Sequence, residues 1–564
     1  MRRAPVRFVL PMLAALGQSA CFAPNDGRPP PEGNIYFPVG LSLGASRANG
    51  SARVLYVANS DFDLQYNAGT VQAFDLDVIG ALMGDVPQIG TDAECAKLGT
   101  GVRAQRPEEQ VTAPAPCSPV AADATTNRGK LLLDTAVIGA FATDVLYRTR
   151  HLEPPTVTDA GVVLAPPAPD AGPGGETSGR LFVPVRGDTT LHWLDVDESD
   201  DAFRTGHILS CGQDADGVCD HDHRRGGDPA EENTRGVQLP AEPYGIAADD
   251  DGRVVVTTHQ SDGKVSLFVN QWSAGDGYPV GPRLEFVAGG APTDPLGALA
   301  IASIPKPAYL RELQLEGKCT AYQPSFLLTF RNSAQVRLVR YFSDGADPGC
   351  HVTGNYGADP ARPFLDMTQG VNINTNSVGF DSRGIAVDAN RRQECEAKCP
   401  VVDPPGPSGA RRDCLQKCTY VGLDVFVANR TPATLVIGET QSDLSALGTS
   451  DLPLFYENVG LLAGPSRVIA GYVRGPHGPE RRIFVVCFDA RTIFVWDPVG
   501  RRVEAEILTG RGPHAFAVDP VRGLGYVGHF TDSYLGVVDL DLTSKTYGKL
   551  RLSIGVPTRP RASK

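Results

Sequence analysis

The chain has 564 residues, a formal net charge of −13, 21% charged and 7% aromatic residues, with 62 glycines and 46 prolines. This acidic balance excludes general nucleic-acid binding, which needs a broad positive surface. The Gly and Pro content suits an all-β chain rich in turns and long loops, and length alone argues for roughly three or four domains unless an internal repeat overrides it.

The N-terminus reads MRRAPVRFVLPMLAALGQSAC. Arg2, Arg3 and Arg7 make a positive start, Phe8–Leu16 an apolar stretch too short to span a bilayer, and Gly17–Ala20 a run with small residues. This order of features is that of an export signal over residues 1–21. Ser19-Ala20-Cys21 resembles a bacterial lipobox, although Gln18 stands where Leu is usual. The resemblance implies lipidation of Cys21 and attachment to the membrane by the lipid anchor only. With Phe22 next, it points to the outer membrane, on the periplasmic or the surface face. The alternative is an ordinary signal peptide with Cys21 incidental. Residues 22–33 follow as a Pro-rich tether, and no later segment carries a transmembrane run.

From residue 34 to 555 a phrase repeats. Its first half is seen in EPYGIAADDDGR, DSRGIAVDANRR, GPSRVIAGYV and GPHAFAVDP, with weaker copies FPVGLSLGAS, AVIGAFATDV and DPLGALAIAS. Its second half is seen in VLYVANS, RLFVPVRGD, RVVVTTHQSDG, FLLTFRNSA, DVFVANRTPA, IFVVCFDAR and LGYVGHFTDS. A third apolar element follows most copies, as in GTVQAFDLD and YLGVVDLDL. Strand-period patterns separated by Gly, Asn and Asp turns predict seven β units, none able to bury its faces alone. Stacked radially they form a seven-bladed β-propeller, followed by a short tail over 556–564. LYVAN at Leu55–Asn59 and VFVAN at Val425–Asn429 give the chain a resemblance to the YVTN-type, lactonase-like propellers.

Long insertions interrupt the units at about 94–127, 151–179, 198–235 and 393–420, and are predicted to be loops that decorate the blades. Of the 12 cysteines, Cys487 lies in an apolar strand and is predicted to be a buried thiol. The others suggest local disulfides, consistent with an oxidising compartment: Cys95–Cys117, Cys211–Cys219 and Cys319–Cys350. In CEAKCPVVDPPGPSGARRDCLQKC, two C-x-x-x-C units on antiparallel helices would pair Cys395 with Cys418 and Cys399 with Cys414. Zinc is the rival reading there, although zinc ligands more often use C-x-x-C. Asp214, Asp216 and Asp220 give the Cys211–Cys219 loop a partial likeness to a calcium loop, with His221 and His223 as zinc-type extras. The closing Glu is missing, and a solvated acidic loop is the favoured reading. Gly40–Gly44 fits G-x-S-x-G but precedes turn and strand rather than helix, so it is no hydrolase elbow. No cofactor motif is found.

In a propeller the start of each innermost strand and the end of the second strand meet at one face around the central channel. The first column reads Tyr244, Arg383, Arg467 and His514, with Leu296 in a weaker copy. The second reads Ser60, Arg186, His259, Arg331, Arg430, Phe488 and Phe530. The surplus of Arg and His predicts a site for an anion, because Arg forks match carboxylate or phosphate. The competing expectation is that these arginines pair with acids of neighbouring blades. His514 and His529 are the candidate bases. Three functions follow: a binding module for an anionic small molecule or an envelope protein; a lactonase-like hydrolase using Arg383, Arg467, His514 and His259, as the resemblance implies; or a scaffold for envelope assembly.

Overall fold

The computed structural model describes residues 28–47, 50–149, 157–158, 161–162, 178–228, 236–272, 280–315, 324–342, 363–373, 381–400, 409–441 and 452–557. The export signal with Cys21, the pair Cys319 and Cys350, and most of the 151–179 insertion lie outside the described residues.

Seven antiparallel sheets follow one another along the chain, each starting from an inner strand and meandering outward. The inner strands are Pro38–Leu43, Leu146–Thr149, Pro243–Ala248, Ala298–Ile304, Ser382–Asp388, Pro465–Gly475 and Pro513–Asp519. Each packs on the next, and the last packs on the first, so the ring closes as a seven-bladed β-propeller. The core is correspondingly divided. Seven apolar clusters each lie between two neighbouring blades. Strand alternation makes this division. Leu55 and Val57 face blade 7, while Val54, Tyr56 and Ala58, on the same strand, face blade 2.

One backbone device recurs in every blade. The residue just before the inner strand, or in blade 2 five positions before it, is left-handed: Phe37, Phe141, Glu242, Gly297, Asp381, Gly464 and Gly512, with φ between 48° and 81°. Its carbonyl accepts a hydrogen bond from the residue that ends the second strand, at 2.7–3.0 Å in all seven cases. Four of the seven are not glycine, and each of these carries a cost of about 1 kcal/mol. The device fixes which two positions per blade face the axis.

The disulfides Cys95–Cys117, Cys211–Cys219, Cys395–Cys418 and Cys399–Cys414 form as the spacing suggests, and Cys487 is a buried thiol. The insertions do more than decorate. Residues 198–235 supply the outer strand of blade 2, Leu209–Ser210, and a further pairing through Arg224–Arg225. Val218 in that insertion bridges Val137, on the outer strand of blade 1, in parallel. Val120, in the first insertion, bridges Ile554, on the outer strand of blade 7, in the same way. Such bridges cover strand edges that would otherwise be open to pairing.

Candidate functional site

The two columns converge on a cavity of about 450 Å³ at the mouth of the propeller. From each blade it takes the second residue after the left-handed one. These are Val39, Thr143, Tyr244, Leu299, Arg383, Ser466 and His514. The end of the second strand adds Ser60, Arg186, Gln260, Arg430, Phe488 and Phe530. Arg331 occupies the equivalent place in blade 4, but is exposed and does not line the cavity.

Three sequence assignments shift. His259 stands one residue before the column position, and that place is buried in all seven blades, as Asn59, Asn429, Cys487 and His529 show. Both its ring nitrogens are engaged, Nδ1 with the Ala241 carbonyl at 3.0 Å and Nε2 with Ser266 Oγ at 2.7 Å. Burial pushes its pKa down to about 4. Gln260 takes the funnel place instead. In blade 4 the lining residue is Leu299 rather than Leu296. Arg467 does line the cavity, but Ser466 holds the column place, and Arg467 sits one position further along the strand.

That further position explains the Gly of the repeat. Five blades put a small residue there: Gly40, Gly245, Ala300, Gly384 and Ala515. A Cβ on Gly40 would lie 2.5 Å from the Val145 backbone nitrogen, in the neighbouring inner strand. Blades 2 and 6 break the rule with Asp144 and Arg467, and these two meet across the axis. Arg467 Nη1 donates to both Asp144 oxygens, at 3.1 and 3.0 Å, and Nη2 donates to the Val39 carbonyl at 3.1 Å. Burial weakens the charged form of Arg467, but the Asp144 carboxylate more than offsets it, and the net shift is upward.

The other lining arginines are also paired. Arg186 binds Glu242 of the next blade at 2.6 Å, Arg430 binds Asp489 of the next blade at 2.6 Å, and Arg383 grips Asp381 with two bonds at 2.7 and 2.9 Å. Each of these lining guanidiniums therefore has its own carboxylate. Arg186 Nε is buried without a hydrogen-bond partner.

His514 Nδ1 donates to the Val39 carbonyl at 3.0 Å, so this nitrogen carries the proton and Nε2 keeps its lone pair. Burial, and then the charge of Arg467, push its pKa down to about 3. Gln260 lines the cavity, and its Oε1 is buried without a partner. Phe62, Phe141 and Phe530 line one wall, backed by Phe37 and bordered by His514, whose ring lies 5.8 Å from that of Phe530. Phe62 and Phe530 lie 5.1 Å apart edge to face, Phe37 and Phe530 5.1 Å, and Phe62 and Phe141 6.0 Å. The sequence columns include Phe530 but miss Phe62, Phe141 and Gln260. Phe62 comes from a top loop with no counterpart in the repeat, Phe141 is the left-handed residue two places before Thr143, and Gln260 is one step from the column residue His259.

The weak calcium candidates do not converge. Asp214 accepts from the backbone nitrogens of Asp216 and Val218, and Asp220 binds His223 Nδ1 at 2.7 Å. Among the described residues, the group close enough to share one ion is Cys399, Cys414 and Cys418.

No protein-family model matches the chain, and no curated protein does. Among solved structures it is similar to a putative 6-phosphogluconolactonase from Bacteroides uniformis, at 11% identity and TM-score 0.40, over 84% of this chain and 86% of that one. It is similar to a periplasmic gluconolactonase of Pseudomonas aeruginosa at 13% identity and TM-score 0.39, over 84% and 86%. Hydrazine synthase of Kuenenia stuttgartiensis matches at 9% identity and TM-score 0.40, over 91% and 97%. The assignment as a seven-bladed propeller rests on the chain's own seven sheets and their closed ring.

Proposed function

We propose that the chain is an exported, lipid-anchored binding module whose funnel takes a small ring-bearing molecule with both hydroxyl and anionic groups. The observation that carries this is the mixed lining of the cavity. Phe62, Phe141 and Phe530 offer aromatic surface to a ring, and Arg186, Gln260, Arg383, Arg430 and His514 line the same cavity with groups suited to hydrogen-bonding ligand groups. A ligand carboxylate would add to arginines already paired, so its binding is only weakly salt-dependent. Binding is favoured over lactone hydrolysis because a His held at a pKa of about 3 is a poor general base near neutral pH.

The test is calorimetric titration with gluconate and with 4-hydroxybenzoate, on the wild type, Phe530→Ala and Arg383→Met. Saturable binding weakened at least roughly tenfold by either change is expected, the magnitude of one good contact. Binding unaffected by both changes, or none to either probe, would sink the reading. Turnover of a gluconolactone that is lost in His514→Ala would favour the hydrolase instead.

A further inference from the structure

The four cysteines between the first two strands of blade 5 satisfy two chemistries. Asn390–Ala397 and Gly409–Cys418 are helices; the second presents Cys414 and Cys418 one turn apart on one face, while Cys395 lies in the first and Cys399 just past its end. Cys399 and Cys418 are buried, packed with Leu415, Ala308 and Tyr309. The oxidised state joins Cys395 to Cys418 and Cys399 to Cys414. The sulfurs of Cys399, Cys414 and Cys418 also all lie within 4.8 Å of one another, and Cys399 Sγ is 3.8 Å from Cys418 Sγ, to which it is not bonded.

That separation is the one a tetrahedral zinc site needs. A Zn–S bond of about 2.3 Å with tetrahedral angles places neighbouring sulfurs about 3.8 Å apart. Cys395 stands outside that group of three but is joined to Cys418, and it is the remaining hairpin thiol that can serve as the fourth ligand. The surrounding charge suits the product. The two helices and their ends carry Arg391, Arg392, Lys398, Arg411, Arg412 and Lys417 against Glu394, Glu396 and Asp413. A zinc tetrathiolate has a net charge of −2, and a cationic surrounding stabilises both it and the thiolates it requires.

We propose that the reduced hairpin is a zinc site, with Cys395, Cys399, Cys414 and Cys418 as its four ligands, and that disulfide formation and zinc binding exclude each other. Each disulfide is reduced by one dithiol, which becomes a disulfide while the hairpin gains two thiols. One Zn²⁺ then binds four thiolates and four protons are released. Because three of the hairpin's sulfurs already lie within 4.8 Å of one another and Cys395 is joined to one of them, metal binding needs side-chain rotations rather than a new fold. The site is independent of the funnel.

The experiment uses the full chain, reduced with dithiothreitol, desalted without oxygen, and titrated with Co²⁺ as a spectroscopic stand-in. One equivalent giving tetrahedral thiolate bands, displaced by Zn²⁺, is expected. The bands should be lost in Cys399→Ser and in Cys414→Ser and kept when Cys95 and Cys117 are both Ser. No such bands in the reduced wild type, or bands that survive Cys414→Ser, would overturn the proposal. A second measurement needs no variant: Zn²⁺ should slow alkylation of the four hairpin thiols at least tenfold while leaving Cys95 and Cys117 unprotected. Equal slowing at all of them, or none at the hairpin, counts against it.

Discussion

At the scale of single residues, burial holds His259, His514 and His529 neutral. His529 is fully buried, stacks on Tyr534 at 3.9 Å and donates through Nε2 to the Thr509 carbonyl. Burial pushes its pKa from 6.5 to about 3. Between those values the unfolded chain holds a proton that the folded chain refuses. Stability from this group is therefore complete above the unfolded value and is lost as pH falls toward about 3. Buried Glu198 and Asp61, raised to about 7 by burial, act in the opposite sense, so the whole-protein profile mixes both. The difference between variants isolates the effect. From neutral pH to about 4.5, His529→Gln should lose on the order of 2–3 kcal/mol less than the wild type, read by denaturant unfolding. Parallel profiles would remove the assignment. His529 also shows what the sequence could and could not say. GHF and THQ look like the same word, so His259 reads as a funnel residue. The strand repeats every two residues, and a one-place slip moves a side chain from cavity to core. In the structure the hydrogen bond from Gln260 N to the Glu242 carbonyl and the pairing of Pro243 with His259 fix the register.

At the scale of elements, the disulfides were legible because local pairs need only short spacing, and blade count was legible because seven second strands repeat nearly word for word. The roles of the insertions were not. Val120 finds its partner Ile554 at the other end of the chain, and no spacing rule announces a single parallel bridge. The first insertion holds that bridge with Val120 N on the Ser553 carbonyl at 2.9 Å and Gly555 N on the Val120 carbonyl at 2.7 Å. Tyr534 OH adds a bond to the Thr112 carbonyl at 2.9 Å. Cys95–Cys117 closes this segment with a sequence separation of 22. Loop-closure entropy for that span gives about 3 kcal/mol. Replacing both cysteines by Ser should lower stability by about that amount, and should speed amide exchange at Val120 and Gly555 before the blade cores open. Unchanged exchange there would mean the strap is held without the disulfide.

At the scale of the whole molecule, the ring closes without sharing a strand. Blade 1 is built wholly from the beginning of the described chain and blade 7 wholly from its end. The seam between them is held by their common apolar cluster and by Arg522, which bonds Asp519, Asp77 and the Ala52 carbonyl. Arg467 and Asp144 add a tie of another kind, joining blades 6 and 2 across the axis. Two blades give up the small residue that lets inner strands crowd together, and the two intruders neutralise each other. Neither side chain is fully shielded, at 25% and 20% exposure, so the pair is worth less than a buried one. Removing only one partner leaves the other charge at the floor of a narrow cavity. Asp144→Ala and Arg467→Ala should therefore each cost more than half of what the double substitution costs, with a coupling of about 1–2 kcal/mol in a double-mutant cycle. Arg467→Ala also takes a positive charge away from His514, the second cause of its depressed pKa, so the imidazole pKa should rise in that variant. NMR titration of the ring reads that shift directly. A coupling near zero together with an unmoved His514 would mean that the axis is held by strand packing alone, and that the two charges merely fill it.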